Sequence, residues 1–339
     1  MTRFYDAARV PQDDLREDLV NPGPASMGTT LKCPQADSNC RPCLRRAVLY
    51  PLSYGGQECV SRVSARSAAS WQDRGMRRTV KTRLKLDIQG TTNVVFSLAA
   101  ASGNTFASES LSFLLDGVAQ SSNELADIHG NRLHQFVSGP GSMIVEYSAE
   151  IDGQGAAPVT NDVDLVTYLR PSRYCESDSL TPTARSEFAG LSGHDLLSAV
   201  TGWVWVHLQY MPGSSLPTDG AEQTLLSRRG VCRDYAHLVI ALLRALDVPA
   251  RMVAVYAPGL APMDFHAVAE ANIDGQWWVV DATRLAPRQS MVRIATGRDA
   301  ADTAFLTNHW ADLVLERMEV LAVIDELPKD DGFELMQLR

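Results

Sequence analysis

The chain has 339 residues, 45% of them hydrophobic, and a formal net charge of −9 at pH 7. That length suggests about two domains, and the acidic balance argues against a nucleic-acid-binding surface. No stretch approaches the roughly 18 apolar residues of a membrane helix, and neither Met1 nor Met76 leads into the apolar core of a signal peptide, so the expectation is a cytoplasmic protein that makes no membrane contact.

Residues 1–75 hold Cys33, Cys40, Cys43 and Cys59 among scattered Pro, Ser, Arg and Gln. They show no sustained apolar period, so no packed element is predicted there. The Cys40 to Cys43 pair could begin a zinc site, but a second close pair is missing, and no metal is expected. The stretch ADSNCRPCLRRAVLYPLSYGG resembles the peptide produced when a tRNA gene is translated in frame. Residues 1–75 are therefore expected to be a disordered or non-native extension, with the true start at Met76. Of the six cysteines only Cys175 and Cys232 lie beyond residue 59. Thiols without a disulfide framework suit a reducing compartment.

From Thr82 the chain alternates, with Thr82, Leu84, Leu86 and Ile88 on one face and Lys81, Arg83, Lys85 and Asp87 on the other. This is the pattern of a half-solvated strand. Strand-like runs follow at Val94 to Ala100, Ser110 to Leu115, Arg132 to Val137 and Ser142 to Ile151, separated by Gly, Asn and Pro turns, so residues 76–163 are predicted to form an antiparallel β-sandwich. The composition shifts near Asp162. Past Leu191 a helical stripe runs through Leu196, Leu197, Val200, Trp203, Val204 and Leu208, and an α+β domain is placed at 164–339. Beyond Ala286 only Asp312 to Ile324 reads as a strand, one that could complete a sheet.

Within the second domain, Gly230-Val231-Cys232 precedes a stripe of Ala236, Val239, Ile240, Leu243 and Leu246 that stops at Asp247-Val248-Pro249. The spacing predicts a helix with Cys232 on its first turn. There, unpaired backbone N–H groups and the helix dipole favour a thiolate, lowering a cysteine pKa from about 8.5 to roughly 3.5–7.5. The plainer reading of such a cysteine is a small buried hydrophobe.

His266 opens the run HAVAEANI, followed by Asp274-Gly275 and then QWWVVD. Asp-Gly between two β-type runs predicts a type I′ hairpin. If Ile273 faces Gln276, then His266 falls opposite Thr283 and Val268 opposite Asp281. His266 and Asp281 then share a sheet face as diagonal neighbours roughly 7–8 Å apart, within bridging reach. A slip of one residue would separate them. With Cys232 these residues have the makings of a nucleophile, a general base and its orienting carboxylate. The Cys232 backbone N–H is a candidate donor to an oxyanion. No second donor is identified, and Trp203, Trp205 and Tyr210 are read as core positions of the preceding helix. Asp234 is read as a carboxylate favouring the helix dipole. Arg284 could steer the site, but an exposed strand-end arginine is the default.

The segments RRGVCRDYAHLVIALLRALDVPARMVAVY, FHAVAEANIDGQWWVVDATRLAP and YLRPSRYCESD resemble the transglutaminase-like superfamily, in particular its bacterial papain-like members. The resemblance covers most of the chain from Leu84 onward. It implies a Cys232, His266, Asp281 triad on a helix packed against an antiparallel sheet, with no cofactor and no metal. It further implies a cysteine peptidase or amidase acting on a protein or peptide through a thioester on Cys232. Crosslinking by transfer to an amine is the alternative; its members carry an oxyanion tryptophan for which no counterpart is found. An arylamine N-acetyltransferase also orders Cys, His, Asp, but its cysteine lies close to the N-terminus. A non-catalytic interaction module would lack triad members. Substrate-binding residues are not identified.

Overall fold

The computed structural model describes residues 76–339 and the backbone of a short strand at Arg3–Tyr5. The expectations for the rest of residues 1–75, including the cysteine cluster and the start at Met76, fall outside the described residues.

Five main strands come first: β1 (Arg77–Ile88), β2 (Thr92–Phe96), β3 (Thr105–Leu115), β4 (Arg132–Ser138) and β5 (Gly141–Asp152). Strand β1 begins earlier than Thr82 but keeps the predicted faces, with Thr82, Leu84, Leu86 and Ile88 buried. It pairs antiparallel with β5 along its whole length, from Arg77↔Asp152 to Ile88↔Gly141. A short helix at Asp162–Thr167 follows, and then four more, α1 (Ser177–Glu187), α2 (Gly193–His207), α3 (Ala221–Ser227) and α4 (Cys232–Ala245). Then come four strands in one antiparallel sheet, β6 (Ala250–Tyr256), β7 (Phe265–Ile273), β8 (Gln276–Val280) and β9 (Val292–Gly297), in the order β8-β7-β6-β9. Two last strands are β10 (Leu306–His309) and β11 (Leu313–Ile324).

The last two strands do not extend the second sheet. Strand β10 pairs with β2, and β11 pairs with β1. One sandwich sheet therefore runs β11-β1-β5-β3 with Val118–Ala119 at its edge, and the other runs from Arg3–Tyr5 through β10, β2 and β4 to Asn123–Ala126. Leu84, Leu86, Val94, Phe96, Val145 and Leu306 meet between them, and this core continues into Tyr256 and Phe265 of the β6–β9 sheet. Both sandwich and helix-on-sheet layer agree with the expected α+β fold class, but the sandwich also takes in the two C-terminal strands and so does not stand wholly ahead of the layer.

Helix α4 is the hub of that layer. Every residue from Arg233 to Ala245 is buried, as expected of a helix enclosed on all sides. It packs on β6 and β7 on one side and on the other helices elsewhere. Its buried arginine Arg244 is satisfied by the carbonyls of Ala250, Arg170 and Arg298 and by the Ser172 hydroxyl. The helix ends where expected: Asp247 takes φ +61° and Pro249 follows.

Candidate active site

Strand pairing and a helix terminus converge on the site. Ile273 pairs with Gln276, and both turn residues have positive φ, Asp274 at 54° and Gly275 at 77°. Glycine meets this requirement without steric cost and aspartate at a small one, which is the physical content of a type I′ turn. The register carries on to Ala269↔Val280. His266 and the residue just past β8, Asp281, thus reach the same face as predicted. His266 Nε2–H donates to Asp281 Oδ2 at 3.1 Å, with both side chains almost wholly buried. The other carboxylate oxygen of Asp281 accepts from the Thr283 N–H at 2.9 Å and the Thr283 hydroxyl at 2.7 Å. Burial pushes this carboxyl up, but the His266 charge and these hydrogen bonds outweigh it and hold the group below its usual range.

Burial also works against a charged His266. The Asp281 carboxylate, first through its charge and then through its hydrogen bond, reverses this, and Cys232 adds in the same direction, so the imidazole is raised to about 10. The ring is a cation throughout the neutral range. Its Nδ1 is buried without a hydrogen-bond partner. Cys232 raises the imidazole through a side-chain hydrogen bond and its charge, so the sulfur and the ring are neighbours.

Cys232 itself is half-buried and unpaired in any disulfide. It is the first residue of α4, and the turn beneath it is held by Asp234, whose carboxylate accepts from the Val231 N–H at 2.8 Å and the Ser215 hydroxyl at 2.6 Å, and pairs with Arg233. Gly230 has a structural reason at this point. A Cβ there would stand 2.6 Å from the Asp234 Cβ, closer than carbon atoms pack.

Two of the three aromatic readings need correction. Trp203 is half-buried against the core and stacks on His207, but Trp205 is 49% and Tyr210 38% exposed. Helix α2 ends at His207 because Leu208 turns extended. Tyr210 then lies in a two-residue strand, Gln209–Tyr210, paired parallel with Arg229–Gly230. This sets its ring beside Tyr235 and its hydroxyl against the Cys232 backbone and sulfur. Burial, then the Cys232 charge, raise the phenol well above its usual range, so it keeps its proton. Sequence reasoning missed Tyr210 because the apolar stripe of α2 continues past the end of the helix. The Arg284 default is also corrected: the residue is half-buried, takes φ +55° and stacks on Trp205.

Among the described residues no group of His, Cys, Asp and Glu side chains could hold a metal ion, and no helix is long and apolar enough to cross a membrane.

Residues 186–282, from the end of α1 through Asp281, match the Transglutaminase-like superfamily. This stretch is a transglutaminase-like superfamily domain. A crystal structure of a candidate cysteine protease from Cytophaga hutchinsonii is similar over 78% of this chain and 98% of its own, with 29% sequence identity and a TM-score of 0.70. An uncharacterized protein of Mycobacterium leprae (strain TN) is 26% identical over 174 residues, 47% of this chain. The match spans 60% of that relative's length.

Proposed function

We propose that this chain is a cysteine peptidase or amidase that hydrolyses peptide or isopeptide bonds through a thioester on Cys232. The observation that carries the reading is the buried 3.1 Å bond from His266 Nε2–H to Asp281, which fixes the tautomer and leaves Nδ1 for the thiol. In the first half-reaction the Cys232 sulfur forms a bond to the acyl carbon. The carbon–nitrogen bond breaks, and the proton held on His266 passes to the departing amine. In the second, His266 takes a proton from water, the oxygen attacks the thioester, and the acid leaves with the sulfur restored. Asp281 stabilises the imidazolium in both halves.

The charge that develops on the carbonyl oxygen is received at the N-terminus of α4. The Cys232 N–H is one donor. The Tyr210 hydroxyl, protonated and already at that N–H, is the second group in reach, the donor that sequence reasoning could not name. The substrate is a protein or peptide, and the chemistry requires no cofactor. A screen of peptide and isopeptide libraries against wild type and Cys232→Ala tests this reading. Cleavage that disappears in the variant, with water rather than added amine as the acyl acceptor, is the expected result. Preferential amine incorporation would identify a crosslinking transferase instead.

A further inference from the structure

Arg284 follows Asp281 by three residues, and its setting is not that of a surface arginine. Its φ of +55° is the left-handed region, which a side chain of this size adopts only where its surroundings compel it. Its guanidinium carbon lies 4.5 Å from the centre of the Trp205 ring and 4.6 Å from that of Phe333. Its Nε is buried without a hydrogen-bond partner. Among the described residues Arg284 has no carboxylate partner, although it lines a cavity of about 400 Å³ together with Asp281, Asp330 and Asp331.

Those three carboxylates are already engaged. Asp281 binds His266 and Thr283, Asp330 binds Arg288 through both oxygens, and Asp331 accepts from the N–H groups of Phe333 and Glu334. Arg288, the other lining arginine, is spent on Asp330. Aromatic contacts occupy the faces of a guanidinium and leave the in-plane N–H fork free, the geometry that takes a carboxylate through two parallel hydrogen bonds. A cation held rigid by two rings, without a counter-ion, in the cavity that reaches the catalytic carboxylate, is a recognition group waiting for an anion.

We propose that Arg284 determines specificity by binding a carboxylate of the acyl substrate beside the Cys232, His266, Asp281 site. This rests on the hydrolase reading for the word substrate, but the binding itself does not require turnover. The carboxylate comes from an acidic side chain or from a free chain terminus, and two probes separate these sources. The first is a capped peptide with an internal Glu, compared with its Gln isostere. The second is a peptide with a free C-terminal carboxylate, compared with its amide.

Binding is measured by calorimetry on the full chain carrying Cys232→Ala, so no peptide is consumed. One carboxylate probe should bind about tenfold or more tightly than its neutral counterpart. Adding Arg284→Gln should abolish that difference, and Arg284→Lys should keep only part of it, because lysine retains the charge without the fork. Circular dichroism melts of both variants check that they fold. Equal affinity for charged and neutral peptides, no binding of either carboxylate probe at millimolar concentration, or a preference that survives Arg284→Gln would overturn the assignment. Carboxylate binding that persists when wild type hydrolyses nothing would instead refute the hydrolase reading alone.

Discussion

Exchanging Asp281 for asparagine perturbs one charge and almost no volume. In the wild type the Asp281 carboxylate is what reverses the effect of burial on His266 and raises the ring to about 10. Relative to an ordinary 6.5, this corresponds to on the order of 5 kcal/mol in favour of the imidazolium. Asparagine removes the charge and can turn an N–H toward Nε2, which favours the wrong tautomer. Burial is then opposed only by Cys232, and the ring should titrate near or below 6.5. Nuclear magnetic resonance titration of ring-labelled histidine, with His266 assigned from a His266→Gln spectrum, reads this directly. Turnover should fall by about 10⁴, the loss that the same exchange causes in serine triads. Because the folded-state value lies above the unfolded one, the stabilisation from His266 is complete below about pH 6.5 and disappears as the pH rises through about 10. Wild type should therefore lose melting temperature across that window, and Asp281→Asn should show a flatter alkaline limb. An unchanged His266 titration in the variant would refute the reasoning, since some other group would then be holding the cation.

Iodoacetamide near neutral pH should modify Cys232 far faster than Cys175, which is fully buried and whose thiol burial pushes well above its usual range; peptide mapping showing equal labelling in the folded protein would remove Cys232 as nucleophile. Glu270→Gln should cost about 3–5 kcal/mol by denaturant titration, because the wholly buried Glu270 neutralises Arg251 at 2.8 Å and Arg293 at 2.6 Å, and a loss below about 1 kcal/mol would show that the arginines find other compensation. Gly230→Ala should cost roughly 1–3 kcal/mol and slow Cys232 alkylation, since the new methyl displaces the Asp234 carboxylate that holds the first turn of α4; a rate equal to wild type would mean the turn is held otherwise. Tyr210→Phe should reduce turnover by about 10²-fold with little change in melting temperature, and full activity would exclude the hydroxyl from the oxyanion site.

The parts of the site that were legible in the sequence are those fixed by local physics. Asp274-Gly275 dictates a turn, the turn dictates the register, and the register brings His266 to Asp281. A glycine, a cysteine and a 3.6-residue apolar period similarly mark the start of α4. Tyr210 and Arg284 escaped because their roles depend on groups remote in sequence: the Arg229–Gly230 pairing for one, Trp205 and Phe333 for the other. Strand β9 was missed because both its faces are covered, which erases the alternation that marks a half-solvated strand. Strand β11 was readable as a strand, but its partner β1 was not, since period-two alternation says nothing about which distant strand it will join.

That pairing of β11 with β1 makes the α+β layer an insertion within the sandwich rather than a module appended to it. During synthesis β1 emerges early and waits for its neighbour until the helices and the β6–β9 sheet have left the ribosome. A contact of such long sequence separation carries a loop-closure cost that slows folding, and until it forms, one edge of β1 stands open to strand addition by other chains. A fragment cut at the apparent boundary near residue 164 would carry away β10 and β11 and leave both pieces with unfinished sheets.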